Sequence, residues 1–187
     1  MNQTSPQPSD NRIVIGITGH IGAGKTSAAK YLSSGYGYQY LRYSQVLADW
    51  MATDPQHRPQ LQEVGWKVMA EGLQKELNSR LIQQVKAGVN VAVDGLRHPM
   101  DYETLMANFG HQFRLVYLEA PEVVRWKRKP RFHTIEEFRV ADSHPVEQQI
   151  DLLKTKAFEV IENDGSLDNL YSAMDKVVKR IELEGAA

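Results

Sequence analysis

A glycine-rich stretch near the start of the chain has the residue types needed to hold phosphate groups. Residues 19–26 read Gly-His-Ile-Gly-Ala-Gly-Lys-Thr and follow the apolar run 13–17. This pattern, G-x-x-x-x-G-K-[S/T] between a buried strand and a helix, points backbone N–H groups at phosphates. Lys25 is expected to reach the β- and γ-phosphates, and the Thr26 hydroxyl is expected to bind Mg²⁺. The predicted triphosphate site consists of Gly19, Gly22, Ala23, Gly24, Lys25, Thr26 and Ser27.

A second candidate lies where another buried strand is predicted to end. The run 89–93 is rich in valine, and Asp94, Gly95 and Arg97 follow it. In a protein with a P-loop, an aspartate at this place holds Mg²⁺, directly or through water. Gly95 would let the chain turn sharply, so that Arg97 faces the same crevice. The alternative is a strand that ends in a plain Asp-Gly turn beside a solvated arginine.

The stretch 125–133 is strongly basic, and two of its arginines are spaced to share one helix face. Arg125 and Arg128 are three residues apart. Two guanidiniums aimed at one crevice can neutralise charge on a phosphoryl group in transfer. We therefore predict that both are catalytic, and that residues 125–140 form a lid. A basic surface helix and a nucleic-acid patch remain alternatives, although Trp126 and Phe132 are the only interleaved aromatics.

Five further positions are candidates for binding the acceptor or the nucleotide. Arg42, Ser44 and Arg58 fall between the second predicted strand and the next long helix, where an acceptor would bind; the acceptor-binding segment is predicted at about residues 43–88. Arg58 is predicted to lie in a loop, 53–59, where it could equally be solvated. The sequence Asn163-Asp164-Gly165-Ser166 follows the last strand. This segment could pass over the base of a bound nucleotide, with Asn163 and Gly165 as the binding residues. The alternative is a plain turn and helix cap.

Strand-like and helix-like segments alternate along the chain. Strands are predicted at 12–18, 38–43, 89–93, 113–118 and 158–161, and helices at 25–34, 44–51, 61–85, 99–108, 121–128, 146–157 and 166–183. The alternation predicts an α/β protein, a three-layer α/β/α sandwich with a mainly parallel five-stranded sheet. Ligands of such sheets bind at the carboxyl ends of the strands. The glycine-rich stretch and Asp94 both fall there.

Size and composition narrow the class of protein. The chain has 187 residues, 42% of them hydrophobic, and a formal net charge of -1. These values suit one globular domain, predicted at 11–187 after a polar, flexible tail at 1–10. They disfavour a general nucleic-acid or membrane binder. The chain has no cysteine, so disulfides are excluded and a cytoplasmic location is expected.

Together these motifs resemble the nucleoside-monophosphate kinase group of P-loop kinases over residues 12–184. Adenylate kinases have a similar Asp-Gly-x-x-Arg stretch whose arginine binds the acceptor phosphate. Here the arginine, Arg97, comes one position earlier. Residues 61–65, 142–147 and 163–167 also look like phage-type deoxynucleotide monophosphate kinases and an uncharacterised adenylate-kinase-like group.

Two departures from related kinases bear on the acceptor. Adenylate kinases usually have Thr-Gly-Asp-x-Leu-Arg after the second strand, whereas residues 43–48 are Tyr-Ser-Gln-Val-Leu-Ala, so Arg58 or Arg97 would bind the acceptor phosphate. Dephospho-CoA kinase, which is also similar, has an aspartate base after that strand. No aspartate occurs between residues 35 and 48, and Asp49 lies deeper in the helix. A phosphate acceptor is already ionised and needs only orientation and charge neutralisation.

The resemblance implies a kinase that uses ATP and Mg²⁺ to phosphorylate a nucleoside or deoxynucleoside monophosphate. Its partners would be small-molecule nucleotides, as a monomer or a homodimer. Two alternatives stay open: transfer to a hydroxyl, as in dephospho-CoA kinase, and a P-loop ATPase or nucleotide switch that acts through a partner.

Overall fold

A parallel β-sheet forms the centre of the computed structural model, which describes residues 12–185. The flexible tail predicted at 1–10 lies outside these residues. The strands are β1 (Val14–Thr18), β2 (Gln39–Arg42), β3 (Val91–Leu96), β4 (Phe113–Glu119) and β5 (Glu159–Glu162). Their order across the sheet is β2-β3-β1-β4-β5, and every neighbouring pair is parallel.

Helices cover both faces of the sheet. They are α1 (Lys25–Tyr36), α2 (Tyr43–Met51), α3 (Arg58–Ala70), α4 (Gln74–Gln83), α5 (Pro99–Phe109), α6 (Glu122–Lys127), α7 (Ile135–Asp142), α8 (Asp151–Lys154) and α9 (Leu167–Gly185), with 3₁₀ turns at Gly110–Gln112 and Pro145–Glu147. The predicted three-layer α/β/α architecture is confirmed. Within residues 12–185, no helix is both long and apolar enough to cross a bilayer.

The alternation of side chains along β1 divides the core into two layers. Val14 packs with α2, α3, α4 and α5 on one face, whereas Ile15 and Ile17 pack with α1 and α9 on the other. At Gly16 a side chain would come within 2.8 Å of the Phe113 ring, so the sheet needs glycine there. β1 is therefore fully buried, as a central parallel strand must be.

The register of β1 and β3 decides where the chemistry can take place. Ile17 lies opposite Asp94, and the register shifts before Thr18, whose hydroxyl donates to Leu96 O at 2.8 Å. The end of β1, where the glycine-rich stretch begins, is therefore next to the end of β3. β1 also lies between β3 and β4, which makes this edge the switch point of the strand order.

The region between β2 and β3 differs from the prediction. The expected helix 61–85 is two helices, because the chain turns at Gly72, which has φ +72°. Gly65, the other expected weak point, is buried inside α3 and packs against Val146 and Leu47. Arg58 was expected in a loop but is the first residue of α3, which His57 caps.

The segment before β5 also differs. The helix predicted at 146–157 is wrong: the structure has the 3₁₀ turn Pro145–Glu147 and the four-residue α8. The buried side chain of Glu147 points into the protein, toward Arg97, and the chain turns again before α8 begins. Helix α7 was not predicted, although Thr134 and Glu137 form the capping box that could have indicated it.

Candidate active site

The loop between β1 and α1 is packed against two other parts of the chain. Gly24 is left-handed, with φ +106°, and a side chain there would collide with the Asn163 amide. At Gly22 a side chain would collide with the backbone of Arg125. Both positions therefore require glycine. The loop therefore packs closely against α6 and against the segment after β5, with its glycines at the points of contact.

Lys25 lies under this loop, in the first turn of α1. Its ammonium donates to the carbonyl oxygens of Gly19 and His20, the latter at 2.9 Å. Burial lowers the pKa of Lys25 to about 7, and the positive charge of Arg97 adds to the effect. A bound anion would favour the charged form and raise this pKa.

A bound triphosphate is therefore expected to make the protein take up protons at pH 8. Without an anion, Lys25 is mostly neutral at this pH, since its pKa is about 7, and the phosphates would protonate it. Triphosphate affinity should accordingly fall as the pH rises above 7. Calorimetry of ATP binding in buffers of different ionisation enthalpy measures the uptake. The same uptake by a Lys25→Met variant would contradict the assignment.

Asp94 and Thr26 meet at the ends of their elements, and their geometry fits a magnesium site. The Thr26 hydroxyl donates to Asp94 Oδ2 at 2.7 Å, and the Tyr40 hydroxyl donates to the same oxygen at 3.0 Å. Arg42 Nε lies 3.8 Å from it. A carboxylate and a hydroxyl are the hard oxygen donors that suit Mg²⁺.

The side chains of the described residues do not form a complete cage for a metal. In the part that the structure describes, residues 12–185, no three His, Asp or Glu side chains are grouped to hold one. Mg²⁺ is commonly bound by one or two protein oxygens together with phosphate oxygens and water. The Thr26–Asp94 pair fits that mode of binding.

Most of the predicted site residues line one cleft, with a volume of about 330 Å³, at the carboxyl edge of the sheet. These residues are Gly22, Gly24, Lys25, Thr26, Ser27, Arg42, Ser44, Arg58, Asp94, Arg97, Arg128, Asn163 and Gly165. Gly19, Ala23 and Arg125 lie outside this lining. Ala23 supports the site from behind, since its carbonyl oxygen accepts from the Asn163 amide at 2.8 Å.

The cleft carries a strong excess of positive charge. Six cationic side chains line it, Lys25, Arg42, Arg58, Arg97, Arg128 and Lys129, against the single carboxylate of Asp94. Burial, together with repulsion from Arg97 and Arg131, lowers the pKa of Arg58 to about 10. Burial and the same kind of repulsion lower the pKa of Lys129. Cations crowded in this way favour an anionic ligand.

Arg97 is held in place by acidic groups behind the cleft. Its Nε donates to Glu147 Oε1 at 3.1 Å, and its backbone N–H donates to Asp101 Oδ2 at 3.0 Å. Glu147 is 1% exposed and Asp101 is 1% exposed. The guanidinium is thereby oriented before any ligand binds.

The structure corrects the placement of Arg125. The side chain was expected over the phosphates, but it is 8% exposed, donates to both carboxylate oxygens of Asp142 at 2.8 and 2.9 Å, and donates to Ile21 O at 3.0 Å. Helix α6, which carries Arg125, packs onto the glycine-rich loop. The face of α6 that carries Arg125 therefore points into the protein rather than toward the cleft. Arg125 therefore ties α6 and α7 to the loop.

Removing one member of this pair is expected to destabilise the fold. Arg125→Met leaves the partly buried Asp142 without its partner, and Asp142→Asn leaves Arg125 without its charged partner. Each substitution should therefore lower the free energy of unfolding by about 3 kcal/mol. Denaturant unfolding measures both, and the double variant should lose less than the sum. Unchanged stability in Arg125→Met, with transfer abolished, would restore the catalytic role.

Arg128 does line the cleft, at the end of α6. Its guanidinium donates to Asn163 O at 2.7 Å and Gly165 O at 3.0 Å. It therefore joins α6 to the loop after β5. The lid movement predicted for residues 125–140 stays a prediction.

Some site residues were not singled out from the sequence. Tyr40 contacts Asp94, and Lys129 adds a cation to the cleft. Lys129 belongs to the basic stretch 125–133, but its position next to Arg128 gave no reason to select it as a site residue. Glu147 lies in a segment similar to phage-type kinases, but nothing in its spacing indicated a link to Arg97.

The comparisons with known proteins agree with this geometry. The AAA domain family matches residues 15–131, more than half of the chain. Shikimate kinase from Acinetobacter baumannii, in complex with shikimate, is 18% identical with a TM-score of 0.56, over 94% of this chain and 96% of that one. Shikimate kinase from Bacteroides thetaiotaomicron is 16% identical with a TM-score of 0.62, over 91% and 98%. At these identities the likeness establishes the fold alone. No curated protein matches the sequence.

Proposed function

The chain belongs to the AAA domain family, and from this premise we propose that it is an ATP-dependent kinase that phosphorylates a nucleoside or deoxynucleoside monophosphate. The glycine-rich loop, Lys25 and Thr26 would bind the triphosphate of ATP. The acceptor would bind on the other side of the cleft, between β2 and α3.

The excess of positive charge along the lining of the cleft is the observation that carries the proposal. Lys25 would neutralise charge on the phosphates of ATP. Arg42, Arg58 and Arg97 add further positive charge on the acceptor side of the cleft. A nucleoside monophosphate brings close to two negative charges to that place. Anion binding would also reverse the lowering of the Arg58 pKa.

The side chains can perform most of the reaction by orientation and charge. Lys25 would neutralise the γ-phosphate, and Arg58 and Arg97 would hold the acceptor phosphate in line with it. When bound, Mg²⁺ would supply positive charge that neutralises the phosphate groups. Thr26 and Asp94 would hold the ion, and no base is needed because the acceptor oxygen is already ionised.

The loop after β5 would bind the base of ATP. Asn163, Gly165 and Leu167 line this end of the cleft beside Arg128. The backbone carbonyls of the loop fix the Arg128 guanidinium, and such a plane can stack on an aromatic ring. ATP would then span the cleft from this loop to Lys25.

A hydroxyl acceptor fits the cleft less well, because it would need a general base. Asp94 is the only carboxylate in the lining, and it already accepts from Thr26 and Tyr40. Dephospho-CoA kinase, which the sequence resembles, has an aspartate after its second strand, and this chain has none between residues 35 and 48.

The direct test is ADP release from ATP·Mg²⁺ with a panel of acceptors. The panel holds the common ribo- and deoxyribonucleoside monophosphates, dephospho-CoA and shikimate, with a Lys25→Met variant as the control. A large rate with one or a few monophosphates supports the proposal. Stimulation only by dephospho-CoA or shikimate would replace it with hydroxyl transfer, and ATP hydrolysis without any acceptor would favour an ATPase or switch.

Small-molecule nucleotides are the proposed partners, and a cytoplasmic location would supply them.

A further inference from the structure

A second pocket opens from the acceptor side of the cleft. Arg58 and Arg97 line both spaces, so an acceptor phosphate held by them would direct the rest of the molecule into this pocket. The pocket lies between α2, α3, α4 and the turn Pro145–Glu147. Its apolar walls are Leu47, Leu61, Met69, Leu77 and Val146.

Two buried hydrogen-bond acceptors in this pocket have no partner among the described residues. They are Gln74 Oε1 and Glu147 Oε2, on side chains whose residues are 3% and 1% exposed. An unpaired buried acceptor costs free energy unless a ligand supplies the donor. An apolar pocket with a few such groups is typical of a small-molecule site.

The orientation of Gln74 follows from its neighbour. Its amide nitrogen donates to Asp101 Oδ1 at 2.5 Å, and a carboxylate oxygen can only accept, so Oε1 must face away from Asp101. Asp101 itself has no free acceptor, because Asn78 also donates to Oδ1 and two backbone N–H groups donate to Oδ2.

Glu147 is an acceptor for a different reason. Oε1 accepts from Arg97 and, at 3.4 Å, from Gln62. Burial alone would raise the pKa of Glu147, but Arg97 and Lys25 hold it below its usual value. The group is therefore ionised at neutral pH, and Oε2 can only accept. Arg131, which also lines the pocket together with Arg58, has its guanidinium over the Phe132 ring at 4.5 Å.

We propose that this pocket binds the base of the acceptor monophosphate and selects a base that carries an exocyclic amino group, an inference that rests on the proposed function. Two buried acceptors call for two N–H donors. Adenine and cytosine present both on one amino group, and guanine presents an amino group beside a ring N–H. Uracil, thymine and hypoxanthine present one ring N–H next to carbonyl oxygens, which the carboxylate of Glu147 would repel.

The test compares acceptors that differ at this group. The pairs are CMP with UMP, AMP with IMP, and GMP with IMP, each also as the deoxyribonucleotide. For the ring size that the pocket accepts, the amino member should have about a ten- to hundredfold higher kcat/KM and a correspondingly lower Kd by calorimetry. Equal use of both members, or preference for the member without the amino group, would overturn the inference.

A Glu147→Gln variant tests the acceptor directly. Arg97 would keep the amide oxygen at the Oε1 position, so that an NH₂ donor replaces Oε2. The amino preference should then shrink or reverse, whatever happens to the overall rate. Glu63→Gln, the same change on an exposed side chain of α3, should keep the wild-type preference. A Glu147→Gln variant that also keeps it would count against the inference; should this variant not fold, the wild-type pairs decide.

The two readouts separate this inference from the proposed function. Transfer to monophosphates without discrimination between pair members would refute the base selection and leave the kinase. Amino-selective binding of monophosphates without transfer to any of them would refute the kinase and leave the pocket. Neither binding nor transfer would refute both.

Discussion

Replacing Lys25 by methionine is expected to lower kcat for phosphoryl transfer by about 10²- to 10³-fold, the usual cost of losing one preorganised charge on a transferring group. The glycine-rich loop holds the Lys25 ammonium through the carbonyl oxygens of Gly19 and His20, and this cation is the one predicted to reach the γ-phosphate. Methionine keeps most of the length and volume of the side chain and removes its charge. Steady-state rates with the best acceptor monophosphate measure the effect.

The same variant should remain folded. Burial penalises the Lys25 ammonium, as its lowered pKa shows, so an apolar side chain is tolerated at this place. Its unfolding midpoint should therefore be close to that of the wild type, and Lys30→Met, on the exposed face of the same helix, is the matched control for both measurements. Wild-type kcat in Lys25→Met would remove the central assignment of the site.

The second large effect is expected at Asp94. An Asp94→Asn variant keeps the shape of the side chain and loses its charge, so Mg²⁺ and the Thr26 hydroxyl are held less well. Changes to groups that orient a metal typically cost about 10- to 100-fold in metal affinity or activity. The rate at fixed ATP, measured against Mg²⁺ concentration, should show both a lower maximum and a requirement for more Mg²⁺.

A matched control separates this effect from a general loss of negative charge. Asp168→Asn makes the same change on the exposed start of α9 and should leave the Mg²⁺ dependence unaltered. An Asp94→Asn variant with wild-type Mg²⁺ dependence would show that Asp94 only supports Tyr40 and Thr26.

The fold was predictable because it depends on local patterns. Buried parallel strands need continuous apolar runs, and the runs near residues 14, 91 and 115 were recognisable for that reason. The glycine-rich stretch was equally clear, since its residue types follow from backbone shape and phosphate chemistry. The helix boundaries between residues 53 and 85 were harder to predict from the sequence. Gly65 and Gly72 could each end a helix, but the chain turns only at Gly72, whereas Gly65 lies inside α3.

The placement of the arginines was not predictable from spacing. Arg125 and Arg128 share a helical spacing, yet Arg125 turns to Asp142 and Arg128 turns to the loop after β5. The difference depends on α7, which the basic pattern did not indicate. Which face of a short helix meets the solvent depends on its neighbours rather than on its own sequence.

The sequence by itself determined the sheet, the phosphate loop and the order in which the site residues occur, because these depend on short-range periodicity and on backbone conformation. Only the tertiary structure decided that Glu147 lies beside Arg97, fifty residues earlier in the chain, and that Gln74 and Glu147 line one pocket. Such pairings depend on how helices pack over the sheet edge. Ion pairs and unpaired acceptors between distant segments leave no periodic trace in the chain.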